Sequence, residues 1–156
     1  MLPVGAQVPE FQLPDLGGTQ RTLAGILANG PALVAFFKVS CPVCQYTFPF
    51  LERLHQGATP GAVQMVAISQ DKAGATGEFC REYGVTFTTL LDDPSSYPVS
   101  NAFSITNVPS LFLIETDGSV SACESGFSKQ ILETAGARAG VSAFLPGESI
   151  PASRPG

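Results

Sequence analysis

The chain is expected to fold as one α/β domain, a central mixed sheet flanked by helices, with an extra β-hairpin at the N-terminal end. Three observations predict it. The apolar run Leu33–Phe37 has no polar alternation and is too short for a helix, so it reads as a buried strand; Val63–Ser69 reads as a second buried strand and Leu111–Glu115 as a further strand. Helical-period segments separate the earlier strands, which requires those strands to run parallel with helices covering both faces. Asp117-Gly118 stands between the last two strand signals and turns them into an antiparallel hairpin, which makes the sheet mixed.

In order, Val8 to Arg21 reads as a short hairpin: Phe11 and Leu13 alternate with polar residues, Asp15-Leu16-Gly17-Gly18 supplies the turn, and Thr19 to Arg21 return. Leu23 to Leu27 predicts one helical turn, closed by the breaker Asn29-Gly30-Pro31. The Leu33–Phe37 strand leads through Lys38-Val39-Ser40 into a helix whose apolar face carries Phe48, Leu51 and Leu54. Ser40 is the expected N-cap, Pro42 fits the first turn, and Pro49 is expected to kink the helix or end its first segment. His55 is expected at the surface near the helix end, where it favours the negative pole of the dipole. After the Val63–Ser69 strand, Asp71 is the expected cap of a helix running to Tyr83 and closed by Gly84. Thr86–Leu91 predicts a third strand, Tyr97–Phe103 a short helix, Ser119–Cys123 the return strand of the hairpin, and Ser128-Lys129 the start of a last helix with Ile131, Leu132 and Ala135 on one face. A domain over 1–140 is expected, followed by a Ser/Pro/Gly-rich tail, 141–156, that is loosely held.

Bulk properties exclude several functions. The 156 residues carry a net charge of −5 with only 13% charged residues, so no basic surface is available for a phosphate backbone. No apolar run reaches the roughly 18 residues of a membrane span. The opening MLPVGAQVPE has neither a basic nor an apolar leader region, which predicts a cytoplasmic protein, or an extracytoplasmic one if a leader has been removed ahead of it.

The chemistry concentrates at Cys41 and Cys44. A buried strand delivers this Cys-x-x-Cys to the tip of a helix, where unpaired N–H groups and the positive end of the dipole favour a thiolate, the reactive form. The pair reads as a redox dithiol, with Cys41 the more accessible sulfur and the one closer to the dipole. Zinc is the rival reading, but a structural site needs two further ligands, and the single His55 with the isolated Cys80 and Cys123 offers no second close pair. Cys80, beside Phe79 and Tyr83, is expected to be a buried apolar side chain, and Cys123 a more exposed one on an edge strand. No metal or organic cofactor is expected. Lys38 and Ser40 stand close enough in sequence to tune the Cys41 thiolate, although a solvated lysine at a strand end is the simpler reading.

With those residues in view, the chain resembles the thioredoxin superfamily, and within it the TlpA-like and redoxin group, which shares a domain with the alkyl hydroperoxide reductase/thiol-specific antioxidant family. VGAQVPEFQLPDLGG looks like that group's N-terminal hairpin, FFKVSCPVC like its strand-to-active-site junction, and NAFSITNVPSLFLIETDGSV like its short helix, cis-proline loop and terminal hairpin. The resemblance implies a thiol–disulfide oxidoreductase in which Cys41 attacks and Cys44 resolves. It implies a cis peptide at Pro109 that turns the Val108 backbone toward an incoming extended peptide, with Pro42 and Val43 also contacting substrate. Implied partners are protein or small-molecule thiols and disulfides, including a thioredoxin-type reductant; a monomer is expected. Three positions depart from the group: Ser40 replaces a frequent tryptophan, and Ala35 and Thr47 stand where relatives carry acids that serve the second cysteine. A peroxiredoxin-like peroxidase is the alternative, but its Pro-x-x-x-Thr/Ser-x-x-Cys pattern, counted back from Cys44, meets Cys41 and Phe37. A redox-inactive binding domain is the other.

Overall fold

A computed structural model describes all residues from Met1 to Gly156. Its centre is a five-stranded sheet ordered β5-β4-β3-β6-β7, built from β3 (Ala32–Phe37), β4 (Gln64–Ser69), β5 (Thr88–Leu91), β6 (Ser110–Ile114) and β7 (Val120–Ser125). Strands β3, β4 and β5 are parallel, and β6 and β7 run against them, giving the mixed sheet expected. The hairpin of β1 (Gln12–Pro14) and β2 (Gln20–Thr22) stands apart from this sheet, touching it through a bridge from Asp15 to Leu90.

Strand β3 is central and buried at every residue, which is why its sequence lacks alternation. Its side chains divide between two cores. Leu33, Ala35 and Phe37 face α2 (Pro42–Gly57), α3 (Ala73–Tyr83) and α5 (Lys129–Ala139), meeting Phe48, Leu51, Phe79 and Leu132. Ala32, Val34 and Phe36 face α1 (Leu23–Leu27), α4 (Pro98–Ala102) and the N-terminal segment, meeting Phe11, Leu27, Val99 and Phe103. Aromatic rings pack at the centre of both: Phe37 lies 4.5 Å from Phe48 and Phe36 4.8 Å from Phe103, centroid to centroid.

Several local expectations change. The cap of α2 is Cys41, whose Sγ accepts from the Cys44 N–H at 3.1 Å; Ser40 is exposed and makes no capping bond. The helix runs through Pro49 without interruption over its 16 residues, because Phe48, Phe50, Leu51 and Leu54 bury both segments in one core and offset the hydrogen bond the proline cannot make. Asp71 does not cap α3, whose N-cap is Lys72 with no side-chain bond; its carboxylate turns instead to Val39. Gly84 closes α3 in the left-handed conformation (φ 68°), as expected. His55 is exposed in the last turn of α2, with its ring 5.8 Å from that of Phe87. Cys80 is buried within 3.7 Å of Thr89 Oγ1, whereas Cys123 is half-buried on β7 at the opposite edge of the sheet; both are free thiols.

The loosely held tail is the main correction. Residues 141–156 pack back onto the domain: Ala143 is buried, Phe144 stacks on Phe50 at 5.3 Å, and Glu148 takes a two-point ion pair from Arg53 at 2.6 and 3.0 Å. Further on, β9 (Ser153–Arg154) pairs antiparallel with β8 (Phe127–Ser128). The Ser, Pro and Gly content suggested looseness, but Ala143, Phe144 and Ile150 supply apolar surface that α2 and α5 bury. No helix is long and apolar enough to cross a membrane.

Candidate active site

The site forms where β3 ends. Lys38, Val39 and Ser40 carry the chain from the sheet to the first turn of α2, and Pro42 at the first helical position gives up only an N–H that no helical carbonyl would receive. This puts Cys41 at the helix tip, half-buried, and Cys44 one turn further in, fully buried. The helix N-terminus thus donates directly to sulfur. Across from it, the Val108–Pro109 peptide is cis, Pro109 is buried, and the Val108 carbonyl lies 3.5 Å from Cys41 Sγ.

The two sulfurs differ electrostatically. The Cys44 thiol is pushed far above the ordinary range, first by burial and then by its interaction with Cys41, while the Lys38 backbone amide pulls the other way. No carboxylate relieves it. Ala35 is fully buried in the same core as Cys44, and the Thr47 hydroxyl donates at 2.7 Å to the Val43 carbonyl of its own helix. Cys44 is therefore held protonated, and Cys41 is the sulfur presented to the outside. No third His, Cys, Asp or Glu joins the pair in a cluster able to hold a metal.

A cleft of about 550 Å³ opens beside Cys41. Its walls include Lys38, Pro42, Tyr97, Ser100, Asn107 and Val108, and Lys38 is the only charged side chain among them. Lys38 Nζ sits 3.5 Å from the Tyr97 hydroxyl and 5.2 Å from its ring centroid, so the ammonium rests on Tyr97 rather than on a cysteine. Tyr97 itself holds a left-handed backbone (φ 50°), costing about 1–2 kcal/mol for a residue with a side chain, at the start of α4. Buried Asp92 fixes that helix by accepting from the Ser100 N–H and hydroxyl at 2.8 and 2.7 Å.

The structure thus gathers Cys41, Cys44, Pro42, Val108 and Pro109 at one place. Val43 is half-buried and packs into the core below them. Asp71 and Tyr97 escaped sequence reasoning. A signal for Asp71 existed: β3 and β4 are parallel neighbours with Phe37 opposite Ser69, so the loops leaving their carboxyl ends must lie side by side.

Known proteins share this fold. The thioredoxin domain of a thiol-disulfide oxidoreductase from Bacteroides vulgatus superposes with a TM-score of 0.74 at 19% identity, covering 81% of this chain and 91% of that one, which establishes the thioredoxin fold. A family model for the AhpC/TSA family matches residues 4–123, and the chain belongs to that family. It is 27% identical over 117 residues to the thiol-disulfide oxidoreductase ResA of Bacillus subtilis, spanning 74% of this chain and 64% of that protein. It is also 26% identical over 119 residues to the methylamine utilization protein MauD of Paracoccus versutus, spanning 76% of this chain and 57% of that protein. The chain therefore spans somewhat under two thirds of the length of these relatives.

Proposed function

We propose that the protein is a thiol–disulfide oxidoreductase that exchanges its Cys41–Cys44 dithiol with the disulfides of protein or small-molecule partners. One observation carries the reading: Cys41 Sγ lies between the N–H of Cys44 at 3.1 Å and the carbonyl of Val108 at 3.5 Å, at the mouth of a cleft and above a buried second thiol. ResA, a relative across most of this chain, bears the name of that activity.

Cys41, as thiolate, attacks one sulfur of the partner disulfide. A bond forms from Cys41 to that sulfur, the partner's S–S bond breaks, and its other sulfur leaves as a thiolate that takes up a proton. The Cys44 N–H stabilises charge on Cys41, and the Val108 carbonyl accepts from the thiol when Cys41 is protonated. Cys44 then loses its proton and attacks Cys41, expelling the second partner thiol and closing the Cys41–Cys44 disulfide. Two electrons and two protons pass to the partner. Attack by Cys44 requires deprotonation of a thiol that burial holds protonated, and no acid stands at 35 or 47 to receive the proton. The backbone of Val108, with exposed Pro42, is the surface a partner meets, and Pro109 lies buried beneath it. A single chain suffices, since both sulfurs and this turn belong to it. A thioredoxin-type donor can restore the dithiol by the reverse exchange.

The test is the consumption of hydroxyethyl disulfide by the reduced protein. Wild type reacts well above the uncatalysed background, and Cys41→Ser falls to it. Equal rates for the two proteins would overturn the assignment.

A further inference from the structure

The segment from Ala152 to Gly156 takes a course that bears on which partners reach Cys41. It leaves α5's start, where the Lys129 N–H donates to the Ala152 carbonyl at 3.0 Å, and pairs antiparallel with β8 through Ser128–Ser153 and Phe127–Arg154. The Arg154 guanidinium lies 4.1 Å from the ring centroid of Tyr46, two residues beyond Cys44. Gly126 and Gly156 mark where backbones meet. A Cβ on Gly126 would collide with the Arg154 carbonyl, and a Cβ on Gly156 would collide with the carbonyl of Val108. Gly126 in turn donates to Pro109 O at 2.7 Å. The segment therefore lies across β8 and ends against the backbone that faces Cys41, an extended strand at the edge where an extended partner would pair.

We propose that residues 152–156 form a built-in strap over the peptide-pairing edge beside Val108, which makes the dithiol selective for small disulfides over disulfides in extended polypeptide. The inference rests on the exchange activity proposed above. An extended peptide that pairs with Val108 must first displace Gly156, because the two backbones already touch. A small disulfide need not. With the strap in place Cys41 remains half-exposed and forms part of the wall of the cleft of about 550 Å³ that contains Lys38, Tyr97 and Asn107. The strap is also built to come away: residues 152–156 are exposed, their ladder spans two residue pairs, and Arg154 is their one side-chain anchor on an aromatic ring. The exchange on either substrate is the same, two electrons and two protons passing from the dithiol to the disulfide, so the strap alters access alone.

The experiment compares the reduced full chain with Arg154→Ala on two substrates, hydroxyethyl disulfide and insulin. Loss of the anchor is expected to raise the insulin rate about threefold while the small-disulfide rate stays within experimental scatter. A chain ending at Pro151, checked for an unchanged circular dichroism spectrum, is expected to show a larger rise on insulin alone. If neither change shifts the ratio of the two rates, or if both rates move together, the strap proposal is overturned. If the wild type reacts with neither substrate, the exchange assignment itself fails, and the strap proposal with it.

Discussion

The Asp71 carboxylate accepts the Val39 N–H at 2.8 Å, tying the loop after β4 to the loop that presents Cys41. The side chain of Gln45 grips the same residue from the other side, donating to the Val39 carbonyl at 2.9 Å. Two bonds to one backbone unit fix the approach to the helix tip. Asp71→Ala leaves a half-buried amide without its partner and is expected to cost about 1–3 kcal/mol in urea unfolding. It is also expected to slow exchange by misplacing Cys41, and Asp71→Asn, which keeps an acceptor, should recover most of both losses. An unchanged exchange rate in the alanine variant would show that this loop needs no such tie.

Cys44 makes the stability of the reduced protein sensitive to alkali. Its folded-state thiol ionises far above the ordinary range of about 8.5, so the unfolded chain releases this proton first as pH rises. The stabilisation is complete below that ordinary value and is lost above it, at up to about 1.4 kcal/mol per pH unit. Urea unfolding of the reduced protein between pH 8 and pH 10.5 should therefore show a steeper loss for wild type than for Cys44→Ala. Cys80, whose thiol burial also pushes up, titrates in both proteins and cancels from the comparison.

Lys38 is the sole cation on the cleft wall, and its ammonium rests on Tyr97 rather than on sulfur. Its effect should therefore fall on the charge of the incoming disulfide. Lys38→Gln is expected to slow reaction with an anionic aromatic disulfide about fivefold at low salt, a Coulomb effect of about 1 kcal/mol, and to leave hydroxyethyl disulfide nearly unaffected. Raising the salt concentration should erase the difference. Equal slowing on both substrates would instead indicate that Lys38 acts on Cys41.

Beneath the dithiol, Phe48 is fully buried and its ring lies 4.5 Å from Phe37, 5.2 Å from Phe79 and 6.0 Å from Phe87. These rings close the core from which Cys44 takes its burial. Phe48→Ala is expected to destabilise the protein by about 3–5 kcal/mol, read from the midpoint of urea unfolding.

The frame was legible because its signals are local. An unbroken apolar run can only be a central strand here, Asp117-Gly118 can only be a turn (Gly118 φ is 85°), and Pro42 after Cys41 marks a helix start. The dithiol was legible for the same reason, whereas the Val108–Pro109 turn was legible only through the family resemblance, because Val-Pro by itself reads as an ordinary loop proline. What sequence hid depends on who sits beside whom. Ser40 and Cys41 are both able to cap, and the choice of Cys41 is made by where the strand leaves the chain. Asp71 looked like a helix cap because Val39, its partner, lies 32 residues away. The closing segment has the composition of a loose tail, and only the open edge of β8 and the rings of Phe50 and Tyr46 give it somewhere to bind.

The most direct test of the exchange chemistry is to react the reduced Cys44→Ser variant with insulin or a small disulfide and locate the adduct by peptide mapping. A mixed disulfide is expected to accumulate, carrying one half of the partner and sitting on Cys41. An adduct on Cys80 or Cys123 in place of Cys41, or no adduct under conditions where wild type turns over, would contradict it.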